Sequence, residues 1–268
     1  MQRLAPYQSG LWLAEYLNNR CQLCRVTRSE RQGLPPSRHQ DTGLLSVASS
    51  RFNKGLLCPH CHNHIMWVPT SFEVDMSAGT SLSIQAASYY DYPIRQAIRA
   101  FKHHEDMTKL PLLVHVLRQL PRPRGCHSSN SVIIPMPTTS SRLMKRGFDP
   151  VTVLSAYLSK HWQIPLWDGV QRVDHTVSQQ GLTRAERLTN LDNAFSISEL
   201  PLAKRLLLFD DVATTGASLQ ALARTFLDST IESSVTGFST PDAHISSTHS
   251  YKITAYALAH GSSRYKEI

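Results

Sequence analysis

Apolar and polar residues alternate over Ser81 to Ala87, where Leu82, Ile84 and Ala86 recur at every second position, and this period predicts a strand. The spacing changes from Tyr92 to His104, where Ile94, Ala97, Ile98 and Phe101 fall on one face of a helix. Met107 to Leu120 predicts a second amphipathic helix, with Pro111 tolerated in its first turn. Val132-Ile133-Ile134, ending at Pro135, reads as a short buried strand. Beyond it, Arg142, Lys145 and Arg146-Gly147-Phe148 read as a basic loop. Val151 to His161 predicts a helix entered just after Pro150, and Gly169 to Val173 another strand. Asp174 to Asn190 is polar, with Gln179-Gln180-Gly181 in its middle, and suits a mobile loop leading into a helix. Lys204 to Phe209 is a strongly apolar strand. Two acids, a Thr/Gly turn and a helix from Ser218 to Leu227 follow it. Val235 to Phe238 and Ile253 to Leu258 read as late strands. Strands separated by helices predict an α/β fold with a mainly parallel sheet.

The first seventy or so residues differ from the rest, which divides the chain into a small module over 1–75 and a larger domain over 76–268. The small module holds Cys21-Gln22-Leu23-Cys24 and Cys58-Pro59-His60-Cys61. Two such knuckles make a tetrahedral four-thiolate Zn²⁺ site, and a site with no open position is structural. The polar stretch from Arg25 to Ser50, with Pro35-Pro36 and Gly43, reads as an irregular insertion that adds only loop entropy. His60, His62 and His64 are spare ligands, read as bystanders because the cysteine set is complete. Four reduced cysteines that never meet is the alternative. Cys126 stands alone and reads as a free thiol.

At 268 residues, with 41% hydrophobic and 18% charged residues, the chain reads as a globular protein with a real core. No apolar run reaches the length of a membrane span, so membrane insertion is not expected. The short apolar patch from Leu11 to Leu17 contains Glu15 and lacks a small-residue cleavage site, so a cytoplasmic location is expected. The net charge of +8 favours polyanions such as nucleotides, nucleic acid or phosphorylated sugars, although charge alone decides little.

Chemistry concentrates in Leu206-Leu207-Leu208-Phe209-Asp210-Asp211-Val212-Ala213-Thr214-Thr215-Gly216-Ala217-Ser218. The apolar run predicts a central strand whose C-terminal end lies where open α/β sheets bind ligands. Asp210 and Asp211 are expected to leave that end side by side and to accept vicinal ribose hydroxyls, directly or through Mg²⁺ and its waters. Thr214, Thr215, Gly216, Ala217 and Ser218 then turn into a helix whose amides and hydroxyls form an anion nest. Gly216 allows close backbone approach. These thirteen residues closely resemble the phosphoribosyl pyrophosphate signature of type I phosphoribosyltransferases. The resemblance implies that fold, with Mg²⁺-dependent binding of phosphoribosyl pyrophosphate by Asp210, Asp211 and Ala213 to Ser218. It also makes Asp210 and Asp211 the candidate catalytic residues.

Other segments resemble the ComF family of phosphoribosyltransferase-like competence proteins over almost the whole chain. They are the paired cysteines ahead of the fold, Ile98-Arg99-Ala100-Phe101-Lys102, and Ile134-Pro135-Met136-Pro137 followed by Arg142 and Lys145-Arg146-Gly147-Phe148. Arg172, Thr176, Gln179 or Gln180, Leu182, Arg187 and the stretch from Asn190 to Phe195 also follow the family's spacing. Asp149-Pro150 departs from the Asn-Gln usual there. The resemblance implies that the segment after Pro135 receives pyrophosphate, with Arg142, Lys145 and Arg146 as its cations. It further implies that Asp174 to Arg187 is a hood over the ligand. Its biological implication is natural transformation, with single-stranded DNA or DNA-uptake and recombination proteins as partners. Two readings stay open: a transferase of unknown acceptor, and a non-catalytic adaptor or regulator that binds a phosphoribosyl ligand. A homo-oligomer is compatible with either.

Overall fold

The computed structural model describes residues 10, 20–26, 56–76, 80–173, 194–235 and 251–261. The patch from Leu11 to Leu17, most of the insertion after Arg25 and the segment from Asp174 to Asn190 lie outside them. The chain divides into two compact units, one made of Met1–Met66 with Asp91–Val116, the other of Trp67–Tyr90 with Leu117–Ile268.

In the first unit, α1 (Pro59–Asn63) is a short helix entered through a proline and capped by the Cys58 thiol. Helix α2 (Ile94–His103) buries the predicted stripe of Ile94, Ala97, Ile98 and Phe101. Asp106 caps the next turn, Met107–Lys109, by accepting the Thr108 N–H at 3.0 Å. Helix α3 (Leu110–Leu117) follows directly, with Pro111 in its first turn, where its missing N–H is harmless.

The second unit is built on β1 (Phe72–Asp75), β2 (Ser81–Tyr89), β3 (Ser131–Pro135), β6 (Arg205–Ala213) and β7 (Lys252–His260), in the spatial order β1-β2-β7-β6-β3. The ladders β2–β7, β7–β6 and β6–β3 are parallel, and only the edge strand β1 runs antiparallel. This is the α/β, mainly parallel architecture that the periodicity predicts. Leu206 to Phe209 are all buried, as a strand covered on both faces requires. Helix α5 (Pro150–Trp162) covers one face, with Trp162 edge-on to Tyr256 of β7 at 4.9 Å between centroids. Helix α6 (Ala217–Val235) packs against β6 and carries Phe226, which meets Trp167 and Tyr251 edge-on. Strands β4 (Val170–Arg172) and β5 (Phe195–Ile197) pair antiparallel as a separate two-stranded sheet.

Three expectations are corrected. The basic segment after β3 is not a loop throughout, because Ser140–Arg146 forms helix α4. Thr139 caps it by accepting the Arg142 N–H at 3.3 Å, and Gly147, at φ 69°, ends it in the left-handed region. Strand β6 does not stop at Phe209; it runs through both acids to Ala213, because β7 continues beside it with Asp210 opposite Ala257 and Ala213 opposite His260. Val235 ends α6 rather than opening a strand. Residues 236–238 lie outside the described residues.

Candidate functional site

Strands β3 and β6 are parallel neighbours, with Pro135 opposite Phe209 and the Met136 N–H donating to the Phe209 carbonyl at 2.8 Å. The segments after Pro135 and after Ala213 therefore leave the same edge of the sheet. That edge is the carboxyl end of the parallel strands, where ligands bind in open α/β sheets.

Because the strand continues through the acids, its alternation sends Asp210 and Asp211 to opposite faces. This corrects the side-by-side expectation, which assumed the strand had already ended. Asp211 is 3% exposed, and its N–H donates to Asp210 Oδ1 at 2.8 Å. It lies toward Asp149, which caps α5 by accepting the Val151 N–H at 3.1 Å and the Thr152 hydroxyl at 2.7 Å. Burial holds the Asp149 carboxyl above the usual range, and the Asp211 charge adds to that despite the two donors. Asp210 lies toward Arg172 of β4. Burial and the nearby Arg142 guanidinium both lower the basicity of Arg172, and the Asp210 carboxylate opposes them. The Arg172 guanidinium also sits 5.5 Å from the centre of the Phe195 ring.

The turn after β6 exposes Thr214 and Thr215 and buries Gly216. Gly216 has φ 76°, a conformation that favours glycine. A Cβ there would stand 2.6 Å from Ile84 Cδ1 and 2.8 Å from Val74 Cγ2, so β1 and β2 form a floor beneath the turn. The Thr215 hydroxyl accepts the Ala217 N–H at 3.4 Å, and the Gly216 carbonyl accepts the Gln220 N–H at 2.8 Å. The Gln220 side chain donates to the Asp75 carbonyl, tying α6 to β1. The first amides of α6 have no intrahelical acceptor and point out of the helix start, beside two exposed hydroxyls and the half-buried Ser218. Such an array can take a phosphate dianion.

Arg142, Lys145 and Arg146 stand at positions i, i+3 and i+4 of α4 and share one face. Arg142 and Lys145 are exposed and Arg146 half-buried. Arg142 is brought toward Arg172, whereas Lys145 and Arg146 form no ion pair among the described residues. Sequence reasoning left Arg172 and Asp149 out of the site. The signals were present: an arginine at the end of a short strand, and an aspartate before a proline at a helix start.

In the first unit, the sulfur atoms of Cys21, Cys24, Cys58 and Cys61 lie within 4.8 Å of one another. Each pair is shaped by local hydrogen bonds. The Cys21 N–H donates to the Val26 carbonyl at 2.8 Å, the Arg25 N–H to the Cys21 carbonyl at 2.9 Å, and the Cys61 N–H to Cys58 Sγ at 3.5 Å. Burial would raise the Cys21 thiol, but the amides of Cys58, Cys24 and Leu23 outweigh it and hold the group at about 6. Burial and the other three sulfurs push Cys61 upward. Four crowded thiols that resist joint ionisation are a donor set completed by a soft divalent cation, and they could hold a zinc ion. The histidines stay apart from this set: His64 Nδ1 meets the His60 carbonyl at 2.8 Å, and His62 Nδ1 lies 3.2 Å from His115 Nε2. Among the described residues, no helix is long and apolar enough to cross a membrane.

The chain is 30% identical over 192 residues to Competence protein F of Haemophilus influenzae, an alignment covering 68% of this chain and 83% of that protein. The chain belongs to the ComF family. Shorter matches reach the DNA utilization proteins YhgH of Salmonella typhi and Escherichia coli K12. Each is 36% identical over 98 residues, which span 35% of this chain and 42% of the YhgH protein. No protein-family model matches the chain.

Proposed function

We propose that the carboxyl edge of the parallel sheet binds phosphoribosyl pyrophosphate with Mg²⁺, and that this member of the ComF family serves DNA uptake and natural transformation. The observation that carries the binding reading is the turn from Thr214 to Ser218, where two exposed hydroxyls meet the start of α6 over a packed floor. An acidic strand end precedes it and two arginines lie nearby. Thr214, Thr215, Gly216, Ala217 and Ser218, with the Ala213 backbone, take the 5′-phosphate. Asp210, on the face of Arg172, takes the ribose hydroxyls, and Asp211 sets the charge beneath the opposite face. Arg142, Lys145 and Arg146 face the pyrophosphate, whose several negative charges call for cations. The hard carboxylate oxygens suit Mg²⁺, which when bound neutralises leaving-group charge. In a transferase, the chain would hold C1 of the ribose open to an acceptor and stabilise the departing pyrophosphate by position and charge.

The DNA-related names of the relatives favour a second reading, in which the same site binds its ligand without turnover and the protein acts as an adaptor. One experiment serves both. Calorimetric titration with phosphoribosyl pyrophosphate and Mg²⁺ is expected to show binding that Asp210→Asn or Thr215→Ala weakens by about tenfold or more, a loss typical of hydrogen bonds to charged groups. Unchanged affinity in both variants would refute the site. Pyrophosphate release with a panel of nucleobases and amines then separates enzyme from adaptor.

A further inference from the structure

His260, the last residue of β7, belongs to none of the groups named so far. It nevertheless touches the phosphate turn more directly than any of the cations. Its Nδ1 lies 3.0 Å from the Ala213 carbonyl, and a carbonyl oxygen only accepts, so Nδ1 carries the proton. The same carbonyl accepts the Gly261 N–H at 2.8 Å. The Ala213 carbonyl and the Thr214 N–H belong to one planar trans peptide, so they point in opposite directions. Two donors, one at the end of β7 and one just beyond it, hold the carbonyl and therefore aim the Thr214 N–H away from that strand.

The ring of His260 is itself fixed. It stacks on Phe72 of β1 with centroids 4.1 Å apart, and its carbonyl accepts the Tyr90 N–H at 2.7 Å. Gly261 completes the clamp, because a Cβ there would stand 2.5 Å from Thr214 Cγ2 and 3.0 Å from Thr214 Cα.

We infer that His260 is a positioning residue for phosphate binding, which orients the Ala213–Thr214 peptide through its Nδ1–H so that the Thr214 amide donates to a phosphate monoester. The inference rests on the phosphoribosyl reading of the turn, and it concerns only the sugar-phosphate end of that ligand.

The test compares ribose 5-phosphate, which engages the turn, with inorganic pyrophosphate, which engages the basic side, both with Mg²⁺ and the full chain. His260→Phe keeps the stack on Phe72 and removes the donor. It is expected to weaken ribose 5-phosphate roughly three- to tenfold, the effect of one lost hydrogen bond, and to leave pyrophosphate unchanged. His260→Asn places an amide N–H near the Nδ1 position and is expected to restore most of the affinity. The inference is overturned if His260→Phe binds ribose 5-phosphate like the wild type or loses both ligands equally. It is also overturned if His260→Asn is as weak as His260→Phe, since packing would then be the cause. If the wild type binds no ribose 5-phosphate, the phosphoribosyl reading falls and this inference falls with it. If the wild type binds it and Thr215→Ala weakens it while His260→Phe does not, only this inference falls.

Discussion

The cysteine cluster and the phosphate turn hold their shapes by opposite means. At the cluster, four sulfurs within 4.8 Å converge from two short hydrogen-bonded knuckles, and the group that would satisfy them is a cation. At the turn, the backbone is shaped from below by Ile84 and Val74 and from the side by Gly261, before any ligand arrives. One region would gain stability from a bound cation, and the other is shaped by packing within its own chain. Pre-formed sites lose little ordering entropy on binding, which suits a small anionic ligand. Metal-closed knuckles suit a segment with little core of its own.

The largest expected effect breaks the first half of this contrast. Replacing Cys58 by Ser removes one of four ligands, and structural zinc sites of this type carry about 10–16 kcal/mol of binding free energy that is also folding free energy. Metal analysis should show zinc lost, and the first unit should melt at a markedly lower temperature. A metal-free wild-type protein that melts unchanged would remove the zinc assignment.

A smaller effect breaks the second half. Gly216→Ala imposes both an unfavourable φ of 76° and a methyl group inside the contact distance of Ile84 and Val74. The cost should be about 1–3 kcal/mol in a denaturant melt, with ribose 5-phosphate binding lost along with it. Shortening Ile84 to Val in the same chain should recover part of the stability but not the strained backbone.

The smallest effect sharpens the contrast by testing charge beside β6 rather than the shape of the turn. The Asp149 carboxyl is held above its usual range by burial and by Asp211, so the folded state binds that proton more tightly than the unfolded chain does. Its favourable contribution is complete below the ordinary aspartate range and is lost as pH rises through the elevated value. Asp149→Asn keeps the cap on α5 and removes the titration. The variant should therefore match or slightly exceed the wild type in melting temperature at neutral pH and lose that advantage in acid. A variant less stable at neutral pH would show that the charge itself is needed there.

Much of the parallel sheet was legible because its strands carry a plain pattern: alternation over Leu82 to Ala86, and short, largely apolar runs at Val132 to Ile134, Leu206 to Phe209 and Ile253 to Leu258. The continuation of β6 through Asp210 and Asp211 was not, because acids at the end of an apolar run ordinarily signal its termination and only the length of β7 beside it overrides that signal. Strand β1 was hidden in Phe72-Glu73-Val74-Asp75, four residues whose alternation means little until β2 is there to pair with. Helix α4 was obscured by its charge, since Arg142, Lys145 and Arg146 look like loop cations until Thr139 and Gly147 are read as its two caps. The tight turn at Gly216 and the helix after it were legible from their residue types. The involvement of His260 was not, because residues 213 and 260 meet only through strand pairing.

The alternation of Asp210 and Asp211 has a consequence for how a signature of two neighbouring acids works. One step along the backbone carries negative charge from the layer of α6 to the layer of α5, so the pair cannot grip a single cation like two fingers of one hand. Each acid answers to its own side, Asp210 to an arginine and Asp211 to another aspartate. Conservative swaps at the two positions should therefore be unequal, with the outer one tuning what is recognised and the inner one tuning how readily the site gives up a proton.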